Sequence, residues 1–234
     1  MSVISWPIAA ATARERGLAA LPLAIVALLV LMAMLFAAPD GWAGLWFELL
    51  TLLLGAGLIA DEVESGHAQL VLLRPITRAQ WVGGRLAGAA LVIVAAAVAA
   101  TSGSIAAAAL HGNFGDIPQR AAVLPMTLLP ALAWLATLTA VGAVARGWTN
   151  AGIVIVAWLA WKLVRHGVPL ALGRPDLSAT LEIVDQYVGP QELTRLPPPA
   201  PYFERALWNV FWACAAWLVT VRLFNLRELA RRRP

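Results

Sequence analysis

Long apolar runs alternate with short polar links along the whole chain. No Asp, Glu, Lys or Arg occurs in residues 17–39, 86–115 or 121–145. Apolar runs of about 18 residues or more predict transmembrane helices, because about 20 residues of helix cross the hydrocarbon core of a bilayer. On this pattern we predict an all-α membrane protein with six spans, at residues 18–38, 42–60, 86–110, 121–145, 147–165 and 205–225.

Composition strengthens this prediction. Of the 234 residues, 61% are apolar and only 13% are charged, against about 25% charged residues in an ordinary soluble domain. The mean hydropathy is +0.76. These values exclude a soluble enzyme, a secreted domain and a disordered chain.

The predicted spans form one transmembrane domain over residues 18–225. Residues 1–17 precede it, and a basic tail, 226–234, follows it. We predict a short interfacial helix in 1–17, with Trp6 and Ile8 facing lipid and with Arg14 and Arg16 facing headgroups. The alternative is a frayed tail.

The basic residues indicate the orientation of the chain. With the N-terminus inside, the inner segments hold eleven Arg residues and the outer segments hold six Arg or Lys residues. Inner loops of membrane proteins carry the excess of positive charge, so we predict that both termini are cytoplasmic. A pI of 10.2 would suggest nucleic acid in a soluble protein, but here the Arg residues flank apolar spans and no nucleic-acid partner is expected.

Sequence motifs for catalysis are missing. Sixteen of the 17 basic residues are Arg, and the single Lys, Lys162, lies in Trp-Lys-Leu-Val rather than in a phosphate-binding P-loop. Any ATP that drives this protein is therefore hydrolysed by another subunit. We predict no catalytic residue, no metal site and no cofactor in this chain.

The link between the second and third predicted spans, residues 61–85, carries the most information. Three acids in four residues, Asp61 to Glu64, are followed by an apolar run and then by Arg74-Pro75. Pro75 should end a helix, and Thr77-Arg78-Ala79-Gln80 is a capping box that should begin another. A helix, a sharp break and a second helix in a cytoplasmic link indicate a surface that docks a partner. The alternative is a helical hairpin lying against its own bundle.

This segment resembles the first intracellular loop of type-two ATP-binding-cassette (ABC) exporter permeases. In that family an acidic residue, Ser/Glu-x-Gly-Thr, an apolar run and Arg-Pro-Ile/Val-Ser/Thr-Arg recur. The matching positions here are Glu62, Glu64, Gly66, Leu70, Leu73, Arg74, Pro75, Ile76, Thr77 and Arg78. His67 stands where the family usually has Thr.

The resemblance implies a function and a set of partners. In the family this loop is a coupling helix that inserts into a cleft on a separate ATPase subunit. Two permease subunits and two ATPase subunits form the working unit, and the ATPases bind ATP and Mg. The resemblance therefore implies a multi-pass protein of the bacterial inner membrane that pairs with a second copy of itself.

A few charges lie within or beside the predicted spans. Glu48 lies inside the second span, where a carboxylate costs up to roughly 3 kcal/mol at the bilayer centre. Lys162 and Arg165, at the outer end of the fifth span, are candidate partners of Glu48 on a translocation pathway. Snorkelling to the headgroups or a structural ion pair is the alternative.

The outer link 166–204 shows its own pattern. Leu177, Leu181, Val184 and Val188 share one helical face, and Gly189-Pro190 should end that helix. This segment could lie in the interface among lipids, cap a pathway or contact an outer partner.

We therefore expect the permease subunit of an ATP-driven exporter. One alternative has the same coupling loop but moves no solute, as a mechanotransmission or assembly subunit. An intramembrane enzyme would need paired catalytic residues at matched depth, and the sequence offers none.

Overall fold

The described residues of the computed structural model form nine α-helices and no strand. They comprise 4–35, 42–66, 68, 71, 73, 75–145, 148–185, 187–190 and 200–231. For 32–35, 42–46, 123, 125, 175, 200–202 and 227–231 the backbone alone is described. The helices are α1 Trp6–Gly17, α2 Ala20–Leu35, α3 Trp42–Gly55, α4 Ala60–Glu64, α5 Arg78–Leu110, α6 Ile117–Gly142, α7 Thr149–Leu172, α8 Pro175–Asp185 and α9 Ala200–Arg231.

Four of these helices, α5, α6, α7 and α9, are long and apolar enough to cross a membrane. This agrees with the predicted all-α membrane protein. The described parts of α2 and α3 comprise 16 and 14 residues, and α3 begins at Trp42, where the second span was predicted to begin. The predicted end of the first span, at residue 38, lies outside the described residues.

Helices α5 and α6 form the centre of the bundle. Helix α5 packs against α1, α2, α3, α6 and α9, and α6 also packs against α3, α7 and α9. The main core between them includes Leu54, Ile93 and Leu135, each completely buried. Ala96 and Ala97 of α5 are buried in the same core, where small side chains let helices approach closely.

Helix α1 packs against the first half of α5. A Cβ added at Gly88 would come within 2.5 Å of the Ala9 carbonyl oxygen, and one at Gly84 within 2.9 Å of the Ser5 carbonyl oxygen. Gly84 and Gly88, one turn apart on α5, therefore permit the close approach of α1. The prediction that Arg16 faces headgroups is wrong, because its guanidinium donates to the carbonyls of Ala56 and Gly57.

The second predicted span ends early. Helix α3 stops at Gly55, five residues before the predicted boundary at residue 60. Gly57 adopts φ of +64°, and a Cβ there would collide with the Asp61 carboxylate. The chain turns at this glycine because no other residue adopts that backbone conformation as readily.

The 61–85 segment has one break more than predicted. Helix α4 ends at Glu64, and Gly66 adopts φ of +78°. Ala68 and Val71 are again helical, and the chain then extends from Pro75 to Thr77. The capping box is confirmed: Thr77 Oγ1 accepts from the Gln80 amide at 3.2 Å, and the Thr77 amide donates to Gln80 Oε1 at 2.9 Å.

Helices α7 and α8 form one edge of the bundle. Helix α7 continues to Leu172, with Pro169 inside it, so the fifth helix extends seven residues beyond the predicted boundary at 165. Gly173 ends it with φ of +60°. The predicted helix in the 176–188 region is present as α8, which packs against α7, but it ends at Asp185 rather than at Gly189-Pro190, so Val188 lies outside it.

Candidate functional site

A buried amide joins three helix ends next to the 61–85 segment. Asn150, at the start of α7, is completely buried. Its Nδ2 donates to the carbonyls of Gly55 at 3.1 Å and Leu138 at 3.0 Å, and its Oδ1 accepts from the Gly57 amide at 3.3 Å. The ends of α3 and α6 are thereby fixed to α7 at the point where the chain leaves the bundle.

Ion pairs then tie the acidic start of the segment to α1 and α5. We call Glu15, Arg16, Asp61, Glu62 and Arg85 the ion-pair network. The Arg85 guanidinium binds the Glu62 carboxylate and lies 3.0 Å from the Glu15 carboxylate. Glu62 is 8% exposed, so the structure places it inside the bundle rather than on an outer surface.

Asp61 occupies a more open part of this network. Arg16 Nη2 lies 3.6 Å from its carboxylate, which is 42% exposed. Burial raises the pKa of Asp61 above its ordinary 3.8, while Arg16 opposes this shift and Glu64 adds to it. The Arg16 guanidinium thus offsets part of the cost of desolvating this carboxylate.

The next part of the segment has one face on the bundle and one face outward. Ala68 is buried, and Val71 and Ile76 pack on a cluster that includes Trp81 and Phe224, whose rings stack at 5.1 Å. Described site residues that lie outward are Glu64, Leu73, Pro75 and Thr77. Leu73 is 83% exposed, so the outward face of the segment presents a large apolar side chain.

The other residues of the predicted coupling segment are either half-buried or outside the described residues. Gly66 is half-buried, and Arg78 is half-buried with its guanidinium 3.2 Å from Asn225 Oδ1 and 6.0 Å from the centre of the Phe224 ring. Leu70 and Arg74 lie outside the described residues, as does His67. Arg78 therefore anchors the start of α5 to α9.

The second candidate site is a cavity of about 710 Å³ at the opposite end of the bundle, which we call the α7 cavity. Its volume lies within the range of about 300–1,000 Å³ that small-molecule sites occupy. The three residues predicted to share a pathway, Glu48, Lys162 and Arg165, all line it. Its walls come from α3, α6, α7, α8 and α9.

Charges in the cavity pair differently from the prediction. Arg165 binds the Asp185 carboxylate and lies 3.6 Å from that of Glu182. Lys162 Nζ lies 5.6 Å from the centre of the Trp158 ring, a cation–π geometry. Helix α8 is thus fixed to α7 through its acidic side chains.

Tryptophan side chains form much of the cavity wall. Trp161 Nε1 donates to Asp185, and Trp212 Nε1 donates to Thr137 Oγ1 at 2.8 Å. Trp134, Trp158, Trp161 and Trp212 all line the cavity. Their rings give it broad apolar faces beside charged groups, a combination suited to an amphipathic ligand.

No protein-family model matches the chain, and no curated protein sequence matches it. The resemblance to exporter permeases therefore depends on the motif residues of the 61–85 segment.

Sequence reasoning missed several residues of both sites. Asn150, Glu15 and Arg85 in the first, and Asp185 and Arg205 in the second, had no assigned role. An uncharged amide between Arg146 and a long apolar run was a usable signal for Asn150. The other four carried no local signal, because their partners are brought near only by the fold.

Proposed function

We propose that this chain is the membrane permease subunit of an ABC exporter. It lies in the bacterial plasma membrane with both termini in the cytoplasm and six helices across the bilayer. Two copies work with two copies of a separate ATPase, which binds ATP and Mg and contacts the 61–85 segment of each copy. ATP closure moves these segments, and the segments move the spans.

The observation that carries this proposal is an exposed surface with a rigid base. Glu64, Leu73 and Pro75 project from a segment whose other face packs on the bundle. The same segment is fixed at its start by the ion-pair network and Asn150, and at its end by the capping box and Arg78. A contact that transmits force needs both an accessible surface and a stiff connection to the moving helices.

The α7 cavity favours transport over mechanotransmission. A subunit that only transmits force needs no polar space between its helices, whereas Glu48, Lys162 and Arg165 face such a space. Substitution of Lys162 by Gln should change ligand-stimulated ATP turnover of the assembled complex and leave ATPase binding unchanged. Equal stimulation of both proteins would favour the mechanotransmission subunit.

Exposed apolar side chains on α7 support pairing of two copies. Val156, Leu159 and Leu163, 65%, 52% and 72% exposed, share the face opposite the cavity. We therefore propose that α7, together with α3, lies near the two-fold axis of the pair. A Val156→Cys variant should form an oxidative dimer in membranes, in a Cys214→Ser background because Cys214 is exposed.

A matched position controls this crosslink. Val98 of α5 is 47% exposed and should give no dimer band when replaced by Cys in the same background. Dimers from Val98 and none from Val156 would place the two-fold axis elsewhere and leave the permease proposal standing.

Co-purification tests the central part of the proposal. Replacing Glu64 and Leu73 together by Arg should abolish recovery of the ATPase, because the first reverses a charge and the second removes an exposed apolar contact. Since both side chains are exposed, membrane insertion and thermal stability should stay unchanged. Undiminished recovery of an ATPase identified by mass spectrometry would refute the assignment of this surface.

A further inference from the structure

The acidic side chains of the α7 cavity are engaged within the protein. Asp185 binds Arg165 and accepts a hydrogen bond from the Trp161 indole. Glu182 lies 3.6 Å from the same Arg165 guanidinium. Glu48, the third carboxylate of the lining, is likewise engaged. A ligand in this cavity therefore meets no carboxylate that is free to bind a cation.

Two basic side chains of the same lining differ from these acids. Lys162 of α7 and Arg205 of α9 are half-buried, and among the described residues neither forms an ion pair. The Lys162 ammonium lies over the Trp158 ring. Because an ammonium has three N–H donors, one side of it can face the ring while another binds an anion. A partly desolvated cation without a carboxylate costs free energy, and an anionic ligand would offset that cost.

Tryptophan supplies four of the side chains that line the cavity: Trp134, Trp158, Trp161 and Trp212. Hydrogen bonds hold two of these rings. The Trp161 indole donates to Asp185. The Trp212 indole donates to Thr137 Oγ1 at 2.8 Å. Rings that are already fixed lose little freedom when a flat ligand stacks on them, whereas a flexible chain would lose its own rotamer freedom on binding. The walls therefore favour a planar aromatic ligand.

From these features we propose that the α7 cavity binds an amphipathic organic anion with a planar aromatic body and a single anionic group. Lys162 and Arg205 bind the anionic group, and the tryptophan rings bind the aromatic body. Three basic and three acidic side chains line the cavity, so their formal charges cancel. Selection of an anion thus comes from the two direct contacts rather than from the long-range field. The volume of about 710 Å³ accommodates a ligand of drug size.

This inference deepens the proposed function and depends on it for its meaning, because in an exporter the bound anion is the transported substrate. Binding itself needs no ATPase. It can therefore be measured on the purified full-length chain alone, and its failure is distinguishable from failure of the permease proposal.

Energy transfer from tryptophan to pyrene in the purified full-length chain tests the proposal. Three probes share one aromatic body and differ in charge: pyrene-1-sulfonate, 1-pyrenemethanol and 1-pyrenemethylammonium. In a neutral detergent, saturable transfer reports the site, whereas probe dissolved in the micelles gives a linear rise. The sulfonate should saturate at one molecule per chain. It should bind about tenfold or more tightly than the other two probes, since only it makes charge-assisted contacts with the two cations.

Substitution of the two cations adds a second test. Lys162→Gln combined with Arg205→Gln should weaken pyrene-1-sulfonate binding about tenfold or more and leave 1-pyrenemethanol binding unchanged, a pattern that a collapsed cavity would not give. Lys162→Arg combined with Arg205→Lys keeps both charges and should retain the preference for the sulfonate. Arg174→Gln is the matched control, because Arg174 is 61% exposed and pairs with Asp176.

A further pair of variants leaves every charge intact. Ala157 lines the cavity and is exposed, so Ala157→Trp should fill the space and abolish saturable binding of all three probes. Leu163 is 72% exposed on the opposite face of α7, and Leu163→Trp should leave binding unchanged. This pair decides the question even if the double Gln variant does not fold.

The outcomes separate the alternatives. No saturable binding of the sulfonate, or equal binding of the three probes, would overturn the proposal. Sulfonate binding that is undiminished in the double Gln and Ala157→Trp variants would place the ligand outside the cavity. Competition by decane-1-sulfonate as strong as that by pyrene-1-sulfonate would overturn the aromatic body and indicate a lipid-like anion. Selective sulfonate binding by a chain that recovers no ATPase would retain the cavity and refute the permease, and the reverse result would refute the cavity alone.

Discussion

The ion-pair network and the α7 cavity use the same types of charged residue at opposite ends of the bundle. In the network, the Arg85 and Glu62 side chains are 11% and 10% exposed and bind each other. In the cavity, Glu182 is 65% exposed although it also pairs with an arginine, Arg165. In both regions an arginine binds one largely buried carboxylate and a second, more exposed one, and so fixes neighbouring helices; the cavity differs in having about 710 Å³ of open space beside these charges.

The comparison extends to the helices that carry the charges. Helix α5 packs against five other helices. Among the described helices, α7 makes extended contacts with two, α6 and α8. A substitution on α5 should therefore mainly lower the free energy of unfolding. A substitution on the cavity face of α7 should mainly change ligand binding.

Removal of Arg85 should give the largest effect. Arg85→Gln leaves Glu62 buried without its cation, and breaking a buried ion pair in this way costs about 3–5 kcal/mol. Lys162→Gln in the cavity should cost less than about 1 kcal/mol, as for a partly exposed charge. Thermal unfolding of both variants in detergent measures the difference, and equal losses would remove the distinction between the two regions.

Glycine substitutions should give the second largest effect. Gly88→Ala places a Cβ 2.5 Å from both the Ala9 oxygen and the Thr12 Cβ, so α1 must move away from α5. We expect a loss of about 1–3 kcal/mol, typical of overpacking. Gly152→Ala is the control, because its Cβ meets nothing within 4 Å and alanine favours helix by about 1 kcal/mol.

If Gly88→Ala proves as stable as the wild type, the close contact of α1 with α5 is not what holds the network together. Proteolytic release of residues 1–17 would report the same contact independently. Faster cleavage is expected in Gly88→Ala and unchanged cleavage in Gly152→Ala.

The pH dependence of Asp61 should give the smallest effect. Burial raises the pKa of Asp61 above 3.8, so the folded state binds a proton more tightly than the unfolded state does. Stability from this group is therefore complete below about pH 3.8 and declines as pH rises through the raised pKa. Asp61→Asn should lack this decline, and parallel pH profiles of the two proteins would contradict it.

Local signals in the sequence predicted local features well. The Thr77–Gln80 capping box and the break at Pro75 depend on neighbours along the chain, and both are present in the structure. The apolar runs of α5, α6, α7 and α9 were recognised because their composition alone suits a bilayer.

Features that depend on distant contacts were not predictable. Asn150 donates a hydrogen bond to the Gly55 carbonyl, 95 positions away in sequence. The hydrophobic periodicity of the chain carries no information about such a distant partner. Helix α7 continues past Lys162 and Arg165 because backbone hydrogen bonds do not require apolar side chains, so the end of an apolar run did not mark the end of the helix. Glu48, Lys162 and Arg165 do line one cavity, but Arg165 binds Asp185.

Photocrosslinking from residue 73 tests the central claim most directly. A photoreactive phenylalanine derivative at Leu73 should crosslink, in membranes of the native host, to a protein that mass spectrometry identifies as a P-loop ATPase. The same group at Leu110, 86% exposed against 83% for Leu73 but at the other end of α5, should not. Crosslinks to the same proteins from both positions, or crosslinks from residue 73 only within its own chain, would contradict the assignment of this chain as the permease subunit of an ABC exporter.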